Sequence, residues 1–575
     1  ASMSDARSEG GALPAPETSL TTASRVILGL YQGYNANACL LVEGEPRVIV
    51  ENERHTRVRH AYGPSAECVE DCLRGAGMTI GDVDRVGFCG ASDLDTDYGY
   101  DIPASAEDGS CFPALAGTRL LSADCFRETP IRVLGRTLPG VIVEHHVAHA
   151  ASAFYTSGFE QSLILAFDGL GDFGRSCLIL RGSGTRIDCL ESVPLRIGLA
   201  FKKAGTHLYR LAGTGFDAAG KLMALAALGE PRYLGAARLF LDHVDVSTGT
   251  REWLLPELGK LRQGALSDLD SSPARDFAAS LQAVASAATL NLLRRHLRPG
   301  DRLCLAGGCA LNVIINRDLL RELPLAALYI PPCPHDGGLG LGASLYLRNH
   351  IEGASSRSNG LDPYRGLTNL DGVSPRALPG AWRRDGAPIG VAERGEEEQV
   401  DAAVHWLAQG EVVGWCHGRS EVGPRALGNR SLLADPARDW MASHLNRRVK
   451  HRESFRPYGL SLREENLGGV FGKDAARSPY MMLAATMTGN WRQALPAVVH
   501  VDGSTRYHTV SQQANPLFWQ LLAAFEAATG VPGLLNTSYN LPGGPIAESV
   551  ADCLAVFRDA AINHLFIGRL HLSKG

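Results

Sequence analysis

The 575-residue sequence predicts an α/β protein with two large domains, because a chain of this length exceeds what one hydrophobic core supports. Two observations predict this class. A pattern of a strand, a tight polar turn and a second strand begins at residue 26 and recurs from residue 163. Apolar strand-like runs then alternate with helical segments to the C-terminus, which is typical of α/β proteins.

The repeated pattern indicates an internal duplication. In the first copy, a strand at 26–30 precedes a polar turn and a hairpin over 39–50. The second copy has a strand at 163–167, a polar turn and a strand at 177–180. Two such lobes describe the duplicated ribonuclease H-like fold of actin, sugar kinases and Hsp70, in which the turns face each other across a nucleotide cleft. Two unrelated hairpins are the alternative.

Composition divides the chain into four segments. Residues 1–24 are rich in Gly, Ser and Thr, and we interpret them as a disordered lead with a tag remnant. The duplicated domain is expected over 25–350. Residues 351–385 are rich in Ser, Gly, Pro and Arg, which predicts a linker. A second α/β domain over 386–575 opens with a predicted helix at 397–409.

The overall composition argues against several classes of protein. The net charge is 56 − 61 = −5, whereas proteins that bind nucleic-acid backbones carry clustered Lys and Arg in excess. No apolar run is long enough to span a membrane, and no signal peptide is evident. The 13 cysteines form no CxxC pair, which is typical of reduced core cysteines. We therefore expect a cytoplasmic monomer or homodimer without nucleic-acid or membrane partners.

Paired histidines predict a metal site. His145 and His149 are four residues apart, so on a helix their rings lie on one face. Asp168 at the end of an apolar run and Asp336 in a glycine-rich turn could complete a mixed nitrogen and oxygen site for iron, zinc or manganese. His146 points about 100° away and is not expected to be a ligand. Structural histidines are the alternative, and a metalloprotease is disfavoured because no His-Glu-x-x-His motif is present.

Glycine-rich turns after predicted strands indicate phosphate binding. Glycine lets backbone amides approach a phosphate closely, and a helix that begins near such a turn adds its positive N-terminus. Tight turns that need glycine only for their φ angles are the alternative. Two such turns beside one cleft favour ATP. The residues expected to bind the nucleotide are Gly220, Lys221, Gly307, Gly308, Asn312 and Gly337.

A cluster of basic residues in the second domain predicts an anion site. These residues are embedded among glycine, proline and apolar residues, whereas a solvated face would alternate with acids. Arginine forks suit a bidentate grip on phosphate or carboxylate oxygens. Ser538 and its polar neighbours lie at a strand end, where they could complete a small ligand site. The cluster comprises Arg419, Arg425, Arg430, Lys450, Arg452, Arg456 and Arg506.

Four sequence blocks resemble one family. The chain is similar to the O-carbamoyltransferases that include nodulation, cephalosporin, novobiocin and tobramycin enzymes. The blocks are His145-His146-Val-Ala-His149-Ala-Ala-Ser, Gly220-Lys221-Leu-Met, Gly423-Pro-Arg-Ala-Leu-Gly-Asn-Arg-Ser431 and Leu534-Leu-Asn-Thr-Ser538. The resemblance implies an N-terminal domain like the tRNA threonylcarbamoyl transferase and a YrdC-like C-terminal domain.

The resemblance also implies a reaction and its residues. Carbamoyl phosphate would be cleaved in the C-terminal domain, and ATP would convert the carbamate to carbamoyl adenylate. An acceptor hydroxyl would then attack this anhydride beside a divalent metal, for which Fe²⁺ is expected. The metal ligands would be His145, His149, Asp168 and Asp336. The carbamoyl phosphate site would comprise Arg425, Lys450, Arg456, Arg506 and Ser538, with Arg425 and Lys450 also catalytic.

The first polar turn departs from the family pattern. Where the family has His-Asp-Ala-Ser, with a histidine that resembles a general base, this chain has Tyr34-Asn-Ala-Asn37. A tyrosine with a pKa of about 10 is a poor base at neutral pH. Either another group serves instead, such as Asp217 or His207, or the acceptor is a stronger nucleophile, such as an amine.

We therefore expect an ATP-dependent carbamoyltransferase of specialised, antibiotic-type metabolism that acts on a small natural-product acceptor. A tRNA threonylcarbamoyl-type modifying enzyme is one alternative. A catalytically impaired protein that binds ATP and carbamoyl phosphate is another. The acceptor pocket is expected to involve the loop at about 95–135.

Overall fold

Three β-sheets and their helices form the part of the protein that the structure describes. The computed structural model describes residues 24–90, 114–115, 125–244, 265–356, 358–378 and 389–574. The expected disordered lead, except Ser24, lies outside these residues, as do most of the expected acceptor loop and part of the expected linker. Within the described residues, no helix is long and apolar enough to cross a membrane.

The first sheet has seven strands in the order β3-β2-β1-β4-β7-β6-β5. β1 pairs antiparallel with β2 and parallel with β4, and β4 pairs parallel with β7. This confirms the hairpin predicted after the first strand. The strands are β1 Val26–Tyr31, β2 Asn37–Val42, β3 Glu45–Glu51, β4 Arg85–Cys89, β5 Ala114–Leu115, β6 Phe126–Val133 and β7 Arg136–Val143.

The second sheet repeats this arrangement with five strands in the order β10-β9-β8-β11-β12. Its first strand, β8, pairs antiparallel with β9 and parallel with β11, as β1 does with β2 and β4. The two sheets therefore share a strand order and strand directions, as an internal duplication requires. The strands are β8 Gln161–Phe167, β9 Cys177–Ser183, β10 Arg186–Ser192, β11 Arg302–Ala306 and β12 Ala327–Tyr329.

The third sheet has nine strands in the order β13-β21-β20-β14-β15-β19-β16-β18-β17, with both parallel and antiparallel pairs. A helix at Glu396–Ala408 precedes β14, one residue from the predicted bounds at each end. The strands are β13 Ile389–Glu393, β14 Val413–Cys416, β15 Arg430–Ala434, β16 Gly459–Arg463, β17 Leu483–Thr486, β18 Ser504–Val510, β19 Gly533–Ser538, β20 His564–Ile567 and β21 Leu570–Lys574.

Helices cover the faces of the sheets, and the mixed α/β class is confirmed. The described α-helices are Asn52–Thr56, Ala66–Gly75, His145–Phe154, Ile197–Lys203, Gly215–Ala226, Leu234–His243, Ser272–Arg294, Val313–Glu322, Leu339–Tyr346, Glu396–Ala408, Met441–His444, Leu467–Phe471, Trp491–Ala494, Pro516–Thr529 and Val550–Asp559.

Glycines bring the helix Leu339–Tyr346 close to the first sheet. A Cβ on Gly29 would lie 2.0 Å from the carbonyl oxygen of Gly340, and one on Gly342 would lie 1.9 Å from that of Ala148. Only glycine fits such a close approach of two backbones. Gly340 and Gly342 therefore allow this helix to pack closely against its neighbours.

Arg54 joins the first sheet to the third-sheet domain. Its side chain is buried and pairs with Glu51, 2.7 Å away. The guanidinium donates hydrogen bonds to the carbonyl oxygens of Glu421 and Gly423, and it lies 3.9 Å from the carboxylate of Glu548. One buried fork thus binds groups on both sides of the interface.

We expect Arg54→Met to destabilise the protein by about 3–5 kcal/mol, because it leaves buried carboxyl and carbonyl groups without their partner. Chemical denaturation measures this loss. Arg74→Ala is the control, because its side chain is 71% exposed and its ion pair is on the surface. Equal stability of the two variants would contradict the role of Arg54.

Acid should destabilise the third-sheet domain through two buried histidines. Burial lowers the pKa of His417 and of His508 to about 3, so both rings are neutral near pH 7. Below pH ~6.5 the unfolded chain takes up protons that the folded chain does not, so stability falls as the pH falls. Each ring should cost about 2 kcal/mol at pH 5 relative to pH 7.

Denaturation of His508→Asn at pH 5 and pH 7 tests this expectation. The variant should lose part of the pH dependence, whereas substitution of the exposed His405 by Asn should leave it unchanged. An unaltered pH dependence in His508→Asn would show that His508 does not contribute.

Candidate functional site

The four residues predicted as metal ligands lie together. One ligand atom from each of His145, His149, Asp168 and Asp336 lies within 4.8 Å of all the others. The Nε2 atoms of the two histidines are 3.2 Å apart, and they lie 3.2 and 3.1 Å from Asp168 Oδ2. Two imidazole nitrogens and two carboxylate oxygens in a buried cluster suit a borderline divalent cation.

The helix His145–Phe154 places both histidines. Glu144 caps its N-terminus and accepts a hydrogen bond from the amide of Val147 at 2.9 Å. Burial opposes ionisation of Glu144, but its contacts with His146 and Val147 lower its pKa to about 2. Asp172 accepts from the amide of His145 at 3.0 Å. The helix start is therefore fixed by two carboxylates.

The two aspartates follow β8 and β12, and residues at the ends of β1 and β2 contact the second of them. Asp168 directly follows β8. The hydroxyl of Tyr31, the last residue of β1, donates to Asp336 Oδ2 at 3.2 Å, and the Asn37 amide donates to the Asp336 carbonyl at 2.8 Å. Asp168 thus lies in the first turn of the second lobe, whereas the strand ends beside the first turn of the first lobe fix Asp336.

The charges within the cluster are strongly coupled. Burial opposes ionisation of Asp168, but hydrogen bonds from His145 and His149 hold its pKa well below the usual range. Burial and the charge of Asp168 raise the pKa of Asp336. The two carboxylates repel each other unless positive charge lies between them. Protonated histidines can supply this charge, and a divalent cation would supply it in their place.

One cavity of about 1310 Å³ reaches from this cluster to the third-sheet domain. Asp168 and Asp336 line it at one part, and the basic residues of the third-sheet domain line another. His145, His149, Gly307 and Gly337 are not among its lining residues. The predicted site residues that line it are Asp168, Asp217, Gly220, Lys221, Gly308, Asn312, Asp336, Arg425, Lys450, Arg456, Arg506 and Ser538.

The basic side of the cavity is short of negative charge. Burial lowers the pKa of Arg425 to about 10, and burial together with neighbouring arginines lowers that of Arg506 well below its usual range. The buried Nε atoms of both arginines have no hydrogen-bond partner within the described part of the chain. Lys450 Nζ donates to the carbonyl oxygen of Ser538 and to Asn540 Oδ1, which are uncharged. These cations would be stabilised by an anion.

Two residues of the predicted basic cluster have structural roles instead. Arg430 is fully buried and donates to five carbonyl oxygens, including those of His417 and Thr368. Arg419 donates to the carbonyl of Gly366 at 2.9 Å. Neither arginine lines the cavity, so we exclude both from the anion pocket.

Lys221 and Asp217 are tied to other charged residues. Lys221 Nζ lies 2.6 Å from Glu453 Oε1 and bridges the two domains. Asp217 lies 2.6 Å from Arg59 and caps its own helix. Burial opposes the charge of Asp217, but its contact with His60 and the charge of Arg59 hold its pKa well below the usual range. A carboxylate with such a low pKa is a weak base, and His207, the other proposed base, is exposed and outside the cavity lining.

The sequence interpretation missed three residues of the segment that follows β3. Arg54 spans the interface, whereas Arg59 and His60 line the cavity. The sequence shows a run of basic residues directly after a predicted strand. The spacing of these residues does not indicate which distant turn or helix they contact.

Comparisons with known proteins agree with the four sequence blocks. The family models described as carbamoyltransferase N-terminus and carbamoyltransferase C-terminus match residues 26–345 and 404–574. Nodulation protein NolNO of Sinorhizobium fredii is 34% identical over 568 residues, which cover 94% of this chain and 79% of that protein. Nodulation protein NolO of Bradyrhizobium diazoefficiens is 36% identical over 445 residues, covering 75% of this chain and 79% of that protein.

Substitution of His149 by Ala should reduce the affinity for a divalent cation by about 10–100-fold or more, because it removes a ligand from the cluster. Titration of the metal-free protein with Zn²⁺ or Fe²⁺ measures this affinity. His146→Gln is the matched control, because His146 lies on the same helix but outside the four-residue cluster. Equal affinities of the two variants would contradict the assignment.

Proposed function

The chain belongs to the carbamoyltransferase family, and from this premise we propose that it converts carbamoyl phosphate and ATP to carbamoyl adenylate and transfers the carbamoyl group to a small molecule. The single observation that carries this proposal is the shared cavity. The wall formed by the third-sheet domain carries cations without anionic partners, and the wall formed by the first domain carries aspartates of the candidate metal cluster.

The anion pocket suits carbamoyl phosphate. Arg425, Arg456 and Arg506 would bind the phosphoryl oxygens as bidentate donors, and Lys450 would stabilise the charge that develops as the bond to phosphate breaks. Ser538 lines the same cavity, and its carbonyl oxygen accepts a hydrogen bond from Lys450. Water completes the cleavage to phosphate and carbamate, so the carbamate remains next to the cations that stabilise it.

The carbamate then reacts with ATP. A carbamate oxygen attacks the α-phosphorus of ATP, a new oxygen–phosphorus bond forms, and pyrophosphate leaves with the electron pair of the broken bond. Gly220, Lys221, Gly308 and Asn312 line the cavity where the nucleotide would bind. We retain Gly307 and Gly337 as supports of these turns, since neither lines the cavity.

The first domain would receive the activated group. His145, His149, Asp168 and Asp336 fit a divalent cation, and we propose Fe²⁺. Such a cation would polarise the carbamoyl or phosphoryl oxygen as a Lewis acid. The chain's own contribution is to hold the anhydride in a cavity shielded from bulk water, since carbamoyl adenylate would otherwise hydrolyse.

The fold supports a division of the chain into two domains with separate roles in the reaction. We propose that residues 25–350 form a duplicated ribonuclease H-like domain of the actin and Hsp70 type, that 351–385 form a linker, and that 386–575 form a YrdC-like domain. The five strands of the second sheet follow the same order as five consecutive strands of the first, β3-β2-β1-β4-β7, which supports the duplication. The family models end at 345 and begin again at 404, which agrees with a division between these positions.

We propose a small natural-product acceptor of specialised metabolism, and a cytoplasmic monomer or homodimer. A tRNA-modifying role is the second candidate among enzymes, and the net charge of −5 argues against it. Filter binding with tRNA tests it. A catalytically impaired binding protein would release no pyrophosphate when it is given ATP and carbamoyl phosphate.

Arg425→Ala should lower the release of pyrophosphate from ATP and carbamoyl phosphate by about 100-fold or more, because the phosphoryl group loses a buried charged donor. Arg477→Ala is the control, since that side chain is 66% exposed. Full activity in Arg425→Ala would contradict the assignment of the anion pocket.

A further inference from the structure

A group that accepts the acceptor's proton is needed on the cavity wall. The histidines that line the cavity within the described residues are His60, His335, His451 and His500. His500 Nε2 contacts the carbonyl of Phe455 at 3.0 Å in the third-sheet domain. His451 is exposed, and His335 directly precedes a residue of the candidate metal cluster. His60 is the remaining candidate.

His60 is fixed to the first polar turn. Its Nδ1 lies 2.7 Å from Asn35 Oδ1, and an amide oxygen can only accept a hydrogen bond. Nδ1 therefore carries the proton in the neutral ring, and Nε2 keeps its lone pair. Asn37 donates both to the carbonyl oxygen of Asn35, at 3.0 Å, and to that of Asp336, at 2.8 Å. One turn thus holds the imidazole and the candidate metal cluster.

The other nitrogen of His60 has the surroundings of a base. Nε2 is buried and makes no hydrogen bond of ordinary length within the described part of the chain. It lies 3.8 Å from Asp217 Oδ1, and Arg59 binds the same oxygen at 2.6 Å, which fixes the carboxylate. Further neighbours are the Phe216 ring, with centroids 4.9 Å apart, and Glu53, which accepts from the His60 amide. His335 is also close enough to interact electrostatically with His60. An imidazolium formed at Nε2 would face a carboxylate.

We propose that His60 is the general base for carbamoyl transfer and takes the proton of the acceptor hydroxyl on Nε2. This proposal rests on the proposed function. The acceptor oxygen forms a bond to the carbamoyl carbon, and the bond from that carbon to the oxygen of the adenylate phosphate breaks. AMP leaves with the electron pair, and His60 later releases the proton to water. Asp217 and Asn35 act as positioning residues.

Two small nucleophiles test the proposal without knowledge of the natural acceptor. The protein, loaded with metal, ATP and carbon-labelled carbamoyl phosphate, is mixed with ethylene glycol or with hydroxylamine. Ethylene glycol must lose a hydroxyl proton during attack, whereas hydroxylamine has an unprotonated nucleophilic nitrogen at neutral pH. Labelled hydroxyethyl carbamate and labelled hydroxyurea are then counted. Pyrophosphate release is measured in the same samples.

His60→Gln keeps a donor for Asn35 but removes the base. We expect it to lower hydroxyethyl carbamate formation by about 100-fold or more and to abolish its rise with pH, while hydroxyurea formation and pyrophosphate release stay at the wild-type rate. His55→Gln is the control, because His55 pairs with Asp71 outside the cavity. Rescue of the glycol reaction by added imidazole would support the role further.

Three results would overturn the proposal. His60→Gln could retain the glycol reaction, or it could lose both reactions, which would indicate a structural role. The wild-type protein could form hydroxyurea but no hydroxyethyl carbamate, which would show that no competent base is present. A wild-type protein that releases no pyrophosphate would instead contradict the proposed function, so the two failures are distinguishable.

Discussion

The contacts of Arg54 are the constraint on which the rest of the structure depends. Residues of the first domain and of the third-sheet domain line the cavity. Its walls keep their relative position only if some contact joins the two domains. Arg54 does so from a buried position, with an ion pair to Glu51 and hydrogen bonds to the backbone at Glu421 and Gly423. Gly423 is two residues before Arg425. The same guanidinium therefore fixes the first sheet and the loop that carries the anion pocket.

The two parts of the cavity are lined by buried residues of opposite charge. The basic part holds Arg425, Arg506 and Lys450 without a carboxylate between them, and burial makes their charges costly. The other part holds two aspartates that pair with the imidazoles of the cluster. An anionic substrate and a divalent cation would each relieve one of these costs. Without these two ligands, the buried cations and the buried carboxylates would remain incompletely compensated, which lowers the stability of the protein.

Much of this arrangement could be predicted from local sequence, and the limits have physical reasons. Apolar runs separated by polar turns predicted the hairpin after β1 and the strands β8 and β9. A spacing of four placed His145 and His149 on one helical face. Contacts between distant segments leave no such pattern. The packing role of Gly340, the ion pair of Asp217 with Arg59 and the bond of His60 to Asn35 each depend on tertiary approach. The first polar turn lies where it was predicted, but the histidine that contacts it, His60, belongs to a later segment.

The central claim is that one cavity serves both activation and transfer, so the carbamoyl group never equilibrates with solvent. Isotope dilution tests this most directly. The protein is supplied with labelled carbamoyl phosphate and ATP in a solution that contains an excess of unlabelled carbamate, and the carbamoyl group is trapped with hydroxylamine. We predict hydroxyurea with the full specific radioactivity of the carbamoyl phosphate. Hydroxyurea diluted toward the label content of the solution would contradict the account.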